Sequence, residues 1–310
     1  MGLTRRFRQK ADTPDGEAAA PAQPVEPTTD PAGPGQATEA PTGPVGDYGT
    51  ITVVEPLTSP ITAGPEPQRR AERRFSPAGL GPVLLLRTAH PRQALLTAAG
   101  IAGAATLAGR TGRELGLVFV TALVGQSILG WHNDLVDAKR DARHNRAGKP
   151  IALGTLEAGT VWFAVSCAAL LVVPLSLSNG ITAGSAFLLS LAIGLLGNVV
   201  LRRGVLSWLP WAASYALFPA FLSYGGWGGD FTGNPPEIAI IVEAALLGVC
   251  VHFLRALPGL VADNEDGLRH LPLRVALKIG ATRLLVISSV ATTGLLVALL
   301  LTGNAVGLSR

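Results

Sequence analysis

The chain has 310 residues, of which 48% are apolar, 15% charged and 5% aromatic; its mean hydropathy is +0.38 and its net charge +4. It is too apolar for an ordinary soluble domain. The two cysteines, Cys167 and Cys250, both lie in apolar stretches, which excludes a disulfide scaffold or a Cys-based zinc site. Residues 1–80 hold 13 of the 23 prolines, nine glycines and only three aromatics. This Pro/Gly/Ala-rich stretch cannot bury enough apolar surface to offset chain entropy, so it is expected to be a disordered tail. Its beginning has no apolar run like that of a signal peptide, which puts the tail in the cytoplasm.

Residues 81–310 read as an all-α, polytopic transmembrane helical bundle. Seven apolar stretches of about 17–25 residues, the length that crosses the hydrocarbon core, fall at 93–109, 115–131, 158–176, 181–201, 205–225, 238–258 and 284–303. The breaks have local causes: Pro174 with the Ser178-Asn179-Gly180 turn, and the Gly-rich loop 225–236. Lys139, Arg140, Arg143, Arg146 and Lys149 follow the second stretch, Arg202 and Arg203 the fourth, and Arg269, Arg274, Lys278 and Arg283 the sixth. The loops on the other side carry only Arg110 and Arg113. The positive-inside bias therefore places the N-terminus and the even-numbered loops in the cytoplasm, as expected of a multi-pass protein of the cell membrane. The same bias accounts for the basic balance and leaves no nucleic-acid-binding domain; the partner of this surface is the lipid bilayer.

Six of the eleven acidic residues after position 80 form two clusters on the same predicted side, Asp134, Asp137 and Asp141, then Asp263, Glu265 and Asp266. Carboxylates beside a membrane are costly unless paired or metal-bound, so the two clusters mark a functional site. If the second span continues as a helix, Asn133, Asp137 and Asp141 recur at i, i+4 and i+8, and with Asp134 they share roughly 100° of arc. Four hard oxygen ligands on one face suit Mg²⁺, which takes one or two carboxylates and completes its shell with water and substrate phosphate. The residues thus predict a metal site at Asn133, Asp134, Asp137 and Asp141, a phosphorylated substrate, and basic loop residues such as Lys149 to meet its charge. His132 and His144 flank the cluster, and Glu243 stands inside the sixth span near its far end, where snorkelling is expected.

The run Asn133-Asp134-Leu-Val-Asp137-Ala-Lys-Arg-Asp141, continuing to Lys149-Pro150-Ile-Ala-Leu-Gly154, resembles the NDxxDxxxD signature of the UbiA-type intramembrane prenyltransferases. Ser207-Trp208-Leu-Pro210, His252-Phe253-Leu-Arg255-Ala-Leu-Pro258 and Gly267-Leu-Arg269-His270-Leu271-Pro272 resemble an actinobacterial branch of that family. The resemblance implies a bundle in which two Asp-rich segments face one another across a central cavity, with Mg²⁺ ions bridging them to the diphosphate of a polyprenyl diphosphate donor. It implies transfer of the prenyl group to a small, aromatic acceptor that the sequence does not identify. By the same carry-over, Asp137, Asp141 and Asp263 are the catalytic carboxylates, Asp263 closes the second metal motif, and Asn133, Arg87, Lys149 and Arg202 bind the substrate; Asp266 or Glu265 from the adjoining loop is the candidate substitute ligand. Trp208, Trp211, Tyr215 and Phe218 are candidates to shield an allylic cation, or interface anchors.

The chain departs from that family in three ways. Arg255 stands where an Asn is expected, Gly259 where the second motif has its first Asp, and seven spans are read where the family usually has nine. These departures support an alternative, a catalytically impaired member that binds an isoprenoid lipid or a partner, and a bundle completed by an oligomer partner. Asp263-Asn-Glu-Asp266-Gly267 briefly resembles the opening of the CDP-alcohol phosphotransferase motif, but His270 and Leu271 and the lack of later aspartates break it.

Overall fold

A computed structural model describes residues 80–144, 146, 148–225 and 233–307. The expected disorder of the tail falls, apart from Leu80, outside the described residues. Among the described residues the elements are helices only. A short helix α1 (Gly81–Thr88) precedes α2 (Pro91–Leu107), α3 (Gly112–Arg143), α4 (Ala158–Leu177) and α5 (Ile181–Val199). A 3₁₀ turn, Val205–Trp208, leads into α6 (Leu209–Ala216) and α7 (Phe218–Ser223). Then come α8 (Ile238–Ala256), the 3₁₀ turn Leu257–Gly259, α9 (Leu260–Glu265), α10 (Leu271–Ile279) and α11 (Ala281–Val306).

Six of these segments are long and apolar enough to cross a membrane. The first predicted stretch, 93–109, is the 17-residue helix α2, shorter than those six. The fifth, 205–225, is not one helix but three short pieces, because Pro210 and Pro219 each open a new helix at a position where the missing N–H costs nothing. The second runs much further than its apolar stretch: α3 carries the chain 32 residues, past Asn133 to Arg143, so the whole Asp-rich run is helical.

Helix α2 packs along α3, α3 on α4, and α6 and α11 on α8. Lipid tails are as apolar as leucine, so burial of apolar surface does not by itself drive these contacts; close packing of small residues does. The core contains Ala98, Ala105, Ala122 and Ala183 around Phe187 and Phe221, while Leu96, Leu170, Ile181, Val261 and Val290 stay exposed to the surroundings. Ser190 and Ser214 exchange hydrogen bonds with each other's carbonyls at 2.9 and 3.1 Å and tie α5 to α6. Two glycines set the approach of elements that carry the site. A Cβ on Gly130 of α3 would stand 2.6 Å from the Ala89 carbonyl oxygen, and one on Gly248 of α8 would run into the Trp211 backbone of α6.

Candidate functional site

Along α3, Gln126, Gly130, Asn133, Asp137 and Arg140 follow one another at alternating steps of four and three, a stripe on one helix face. That stripe lines one wall of a cavity of about 390 Å³. His252 and Arg255 of α8, Gly259 of the 3₁₀ turn and Asp263 of α9 line it as well. Trp211, Tyr215 and Phe218 supply an aromatic part of the lining, and His90, Lys149 and Arg202 join its charged part. Among the described lining residues, two carboxylates, Asp137 and Asp263, stand among five cations, Arg140, Arg146, Lys149, Arg202 and Arg255.

Each acid has its own partners. Asp134 is 3% exposed; its Oδ1 lies 2.8 Å from His90 Nε2 and accepts from Lys149 Nζ. His90 is the described non-glycine residue with positive φ, at 52°, and sits between α1 and α2 immediately before Pro91. That left-handed turn costs about 1–3 kcal/mol and is held by the surrounding contacts. Asp137 accepts from Arg202 Nη1 at 2.5 Å. Asp141 is 2% exposed, with Arg146 at 3.4 Å and Lys149 at 3.8 Å, and its Oδ1 makes no hydrogen bond among the described residues.

The second segment is held differently. Arg140 reaches from α3 to Asp263 through Nη2 and to Asp266 through Nε at 2.7 Å, with its Nη1 3.8 Å from Asp137. His144 also approaches Asp266 at 3.1 Å. The nearby His144 ring, followed by the hydrogen bond and charge of Arg140, holds the Asp266 carboxyl down at about 2. His270 Nδ1 accepts the N–H of Leu273 and so caps α10. The ring proton therefore sits on Nε2, which donates to Asp263 Oδ2 at 2.9 Å. Burial, and then the charge of Arg140, push the His270 imidazole below its ordinary value, so the ring is held neutral in the tautomer that serves both partners.

Asn133, Asp137, Lys149, Arg202 and Asp263 line one cavity. Asp134 and Asp141 flank it: the 100° arc is wide enough that they turn toward His90, Lys149 and Arg146 while Asn133 and Asp137 face inward. Arg87 lines a separate cavity with Leu84, Gly148, Pro150, Leu153 and Thr155. Glu265 is exposed, and Asp266 rather than Glu265 faces Arg140. Of the four aromatics, Trp208 is not in the lining. His132 turns to Asn198 and Trp162. Glu243 accepts from Thr302 of α11 at 2.9 Å instead of snorkelling.

Sequence reasoning missed His90, the double reach of Arg140, and the capping role of His270. Two signals were available. His90-Pro91 reads as a helix start, and Gln93, Gln126, Asn198 and Ser207, polar residues in or beside apolar spans, all line the cavity.

Whether these residues suit a divalent cation differs between the two segments. Asn133 and Asp137 offer hard oxygens to the cavity, and the Oδ1 of buried Asp141, ion-paired with Arg146 but without a hydrogen bond among the described residues, stands behind them. No three His, Cys, Asp or Glu residues among those described converge as a ready metal cage. Mg²⁺ needs none, since one or two carboxylates suffice when phosphate oxygens complete its shell. The first segment fits. At the second, both carboxylates are taken by Arg140 and Gly259 adds no ligand, so the residues do not fit an ion there.

The model of the UbiA prenyltransferase family matches residues 94–309. Among solved structures, a UbiA homologue from Archaeoglobus fulgidus bound to DMAPP and Mg²⁺ is similar with a TM-score of 0.54 and 19% identity, covering 70% of this chain and 78% of that one. The structure of such a homologue from the same organism bound to GPP and Mg²⁺ has a TM-score of 0.54 and 16% identity, covering 73% and 89%. One bound to Cd²⁺ has a TM-score of 0.52 and 16% identity, covering 73% and 91%. Among curated proteins none matches the chain.

Proposed function

The chain belongs to the UbiA prenyltransferase family, and from that premise we propose that it is a multi-pass membrane prenyltransferase whose cavity takes a polyprenyl diphosphate donor. The observation that carries the reading is the lining itself, five cations against two carboxylates beside an aromatic wall. A surplus of fixed positive charge suits a diphosphate, and the aromatic and apolar surface suits an isoprenoid chain. Positive-inside bias puts the charged end, and the N-terminus, on the cytoplasmic side of the cell membrane.

In the proposed reaction the C1–O bond of the donor breaks, diphosphate departs with the bonding pair, and the allylic carbon joins a small aromatic acceptor that gives up a proton. Lys149 and Arg202 meet the charge that develops on the leaving diphosphate. Asn133, Asp137 and Asp141 would hold Mg²⁺, which supplies Lewis-acid stabilisation of that same charge. Asp263 is oriented by His270. Tyr215 and Phe218, in the aromatic part of the lining, are placed beside the prenyl chain and would keep water from the allylic carbon. Residues 81–310 form the catalytic domain in this reading, and residues 1–80 an appended tail.

Membranes containing the protein, given radiolabelled geranyl diphosphate and Mg²⁺, should form a labelled prenylated product that Asp137→Ala abolishes. The grip of Arg140 on Asp263 and Asp266 favours a second reading, a family member that binds the donor without turning it over. Mg²⁺-dependent retention of labelled donor with no product would select it.

A further inference from the structure

Arg255 differs from the other cations of the cavity. Arg140, Arg146, Lys149 and Arg202 each lie within ion-pair distance of a carboxylate, whereas no described carboxylate lies within that distance of Arg255. It projects from the last turn of α8, where the helix dipole favours a cation. Its guanidinium lies 5.2 Å from the ring centroid of Trp211. Trp211 in turn stacks on His252 at 5.5 Å, and His252 Nε2 lies 3.1 Å from Ser207 Oγ, which accepts the backbone N–H of Leu271. The aromatic pair, tethered through Ser207, holds the planar fork in one orientation while leaving its N–H edge to the cavity. A guanidinium with a fixed plane and donors unclaimed among the described residues, lining the cavity, is suited to a bidentate anion.

The position opposite is equally particular. At Gly259, one helical turn beyond Arg255, no side chain claims the guanidinium or offers an oxygen to a metal. A Cβ there would stand 3.1 Å from Asp263 Oδ2 and 3.3 Å from Arg146 Nη2. Asp263 is itself held by Arg140 and His270. We propose that Arg255 is a diphosphate-binding residue, a fixed guanidinium that grips the leaving group on the α8–α9 side of the cavity, where the second Asp-rich segment holds no divalent ion. The donor is then bound between one ion on the α3 side and Arg255 on the other. The inference rests on the prenyl diphosphate reading above.

The test uses the full-length protein in nanodiscs with geranyl S-thiolodiphosphate, a donor analogue that does not ionise, and Mn²⁺ counted by electron paramagnetic resonance. Wild type should bind the analogue with one Mn²⁺ per chain. Arg255→Gln should weaken the analogue at least tenfold without changing the Mn²⁺ count, and Arg255→Lys should recover part of the loss. The double variant Arg255→Asn, Gly259→Asp should raise the count to two. Two Mn²⁺ per wild-type chain, or an affinity of Arg255→Gln within twofold of wild type, overturns the proposal while leaving the donor reading intact. No binding of the analogue at any Mn²⁺ concentration overturns both.

Discussion

The two Asp-rich segments have the same number of acids and opposite arrangements. At the end of α3, Asp134, Asp137 and Asp141 are served by several cationic neighbours, His90 from the α1–α2 link, Arg146 and Lys149 from the loop after α3, and Arg202 from the loop after α5, with Lys149 reaching both Asp134 and Asp141. At α9, Asp263 and Asp266 share one arginine, Arg140, supplied by the first segment itself. Where several cations serve a group of acids, one of them can give way to a metal while the others stay in place. A shared guanidinium joins the helices, and removing it leaves Asp263 to His270 and Asp266 to His144 and Arg143. The first segment thus spreads its acids over several cations, while the second is tied to α3 by one arginine.

The sharpest break in this comparison is Asp137→Ala. Product formation from labelled donor should fall by about three orders of magnitude or more, since a lost metal ligand removes several kcal/mol of transition-state stabilisation, while the melting temperature moves little. The mirror experiment is Arg140→Gln, which should cost about 2–3 kcal/mol of stability by taking the charged donor from buried Asp263. Thermal unfolding in detergent reads it, and a melting temperature unchanged from wild type would show that the two helices are held otherwise. His270→Ala should cost about 1–2 kcal/mol, from the lost cap of α10 and the lost donor to Asp263. His270→Asn, which keeps a capping acceptor, should recover part of it in the same assay.

Acidification should weaken the second segment. The His270 imidazole titrates lower in the folded chain than when unfolded, so folding disfavours its proton. Its contribution is intact above the unfolded value of about 6.5 and declines as pH falls from there toward the folded value. The Asp266 carboxyl, held at about 2, contributes only above its folded value. That contribution is complete above the unfolded value of about 3.9 and is lost between the two. Melting temperature measured from pH 7.5 down to 4 should therefore fall, and His270→Asn should flatten the first part of the slope. The smallest effect belongs to Glu265→Ala. Its side chain is 61% exposed, and both stability and activity should stay within about 0.5 kcal/mol of wild type.

Composition and period were enough to establish a helical membrane bundle, the common side of the two acid clusters, and the face that carries Asn133 and Asp137. Each follows from local physics: the length of an apolar run, and the 100° step of a helix. Proline chemistry decided the breaks of the fifth stretch, but its consequence, a span made of three short pieces that line a cavity instead of one continuous helix, depends on what packs beside them.

The pairing of charges was not legible. Asp134 meets His90 across 44 residues of sequence, and Asp263 meets Arg140 across 123. An acid at a given angle on a helix can face a metal, a lysine or another helix, and the sequence around it is the same in each case. Which one it meets is settled by how closely α3 approaches its neighbours, through contacts such as Gly130 on Ala89. Periodicity determines the direction of a side chain; only the packed bundle determines what stands there to receive it.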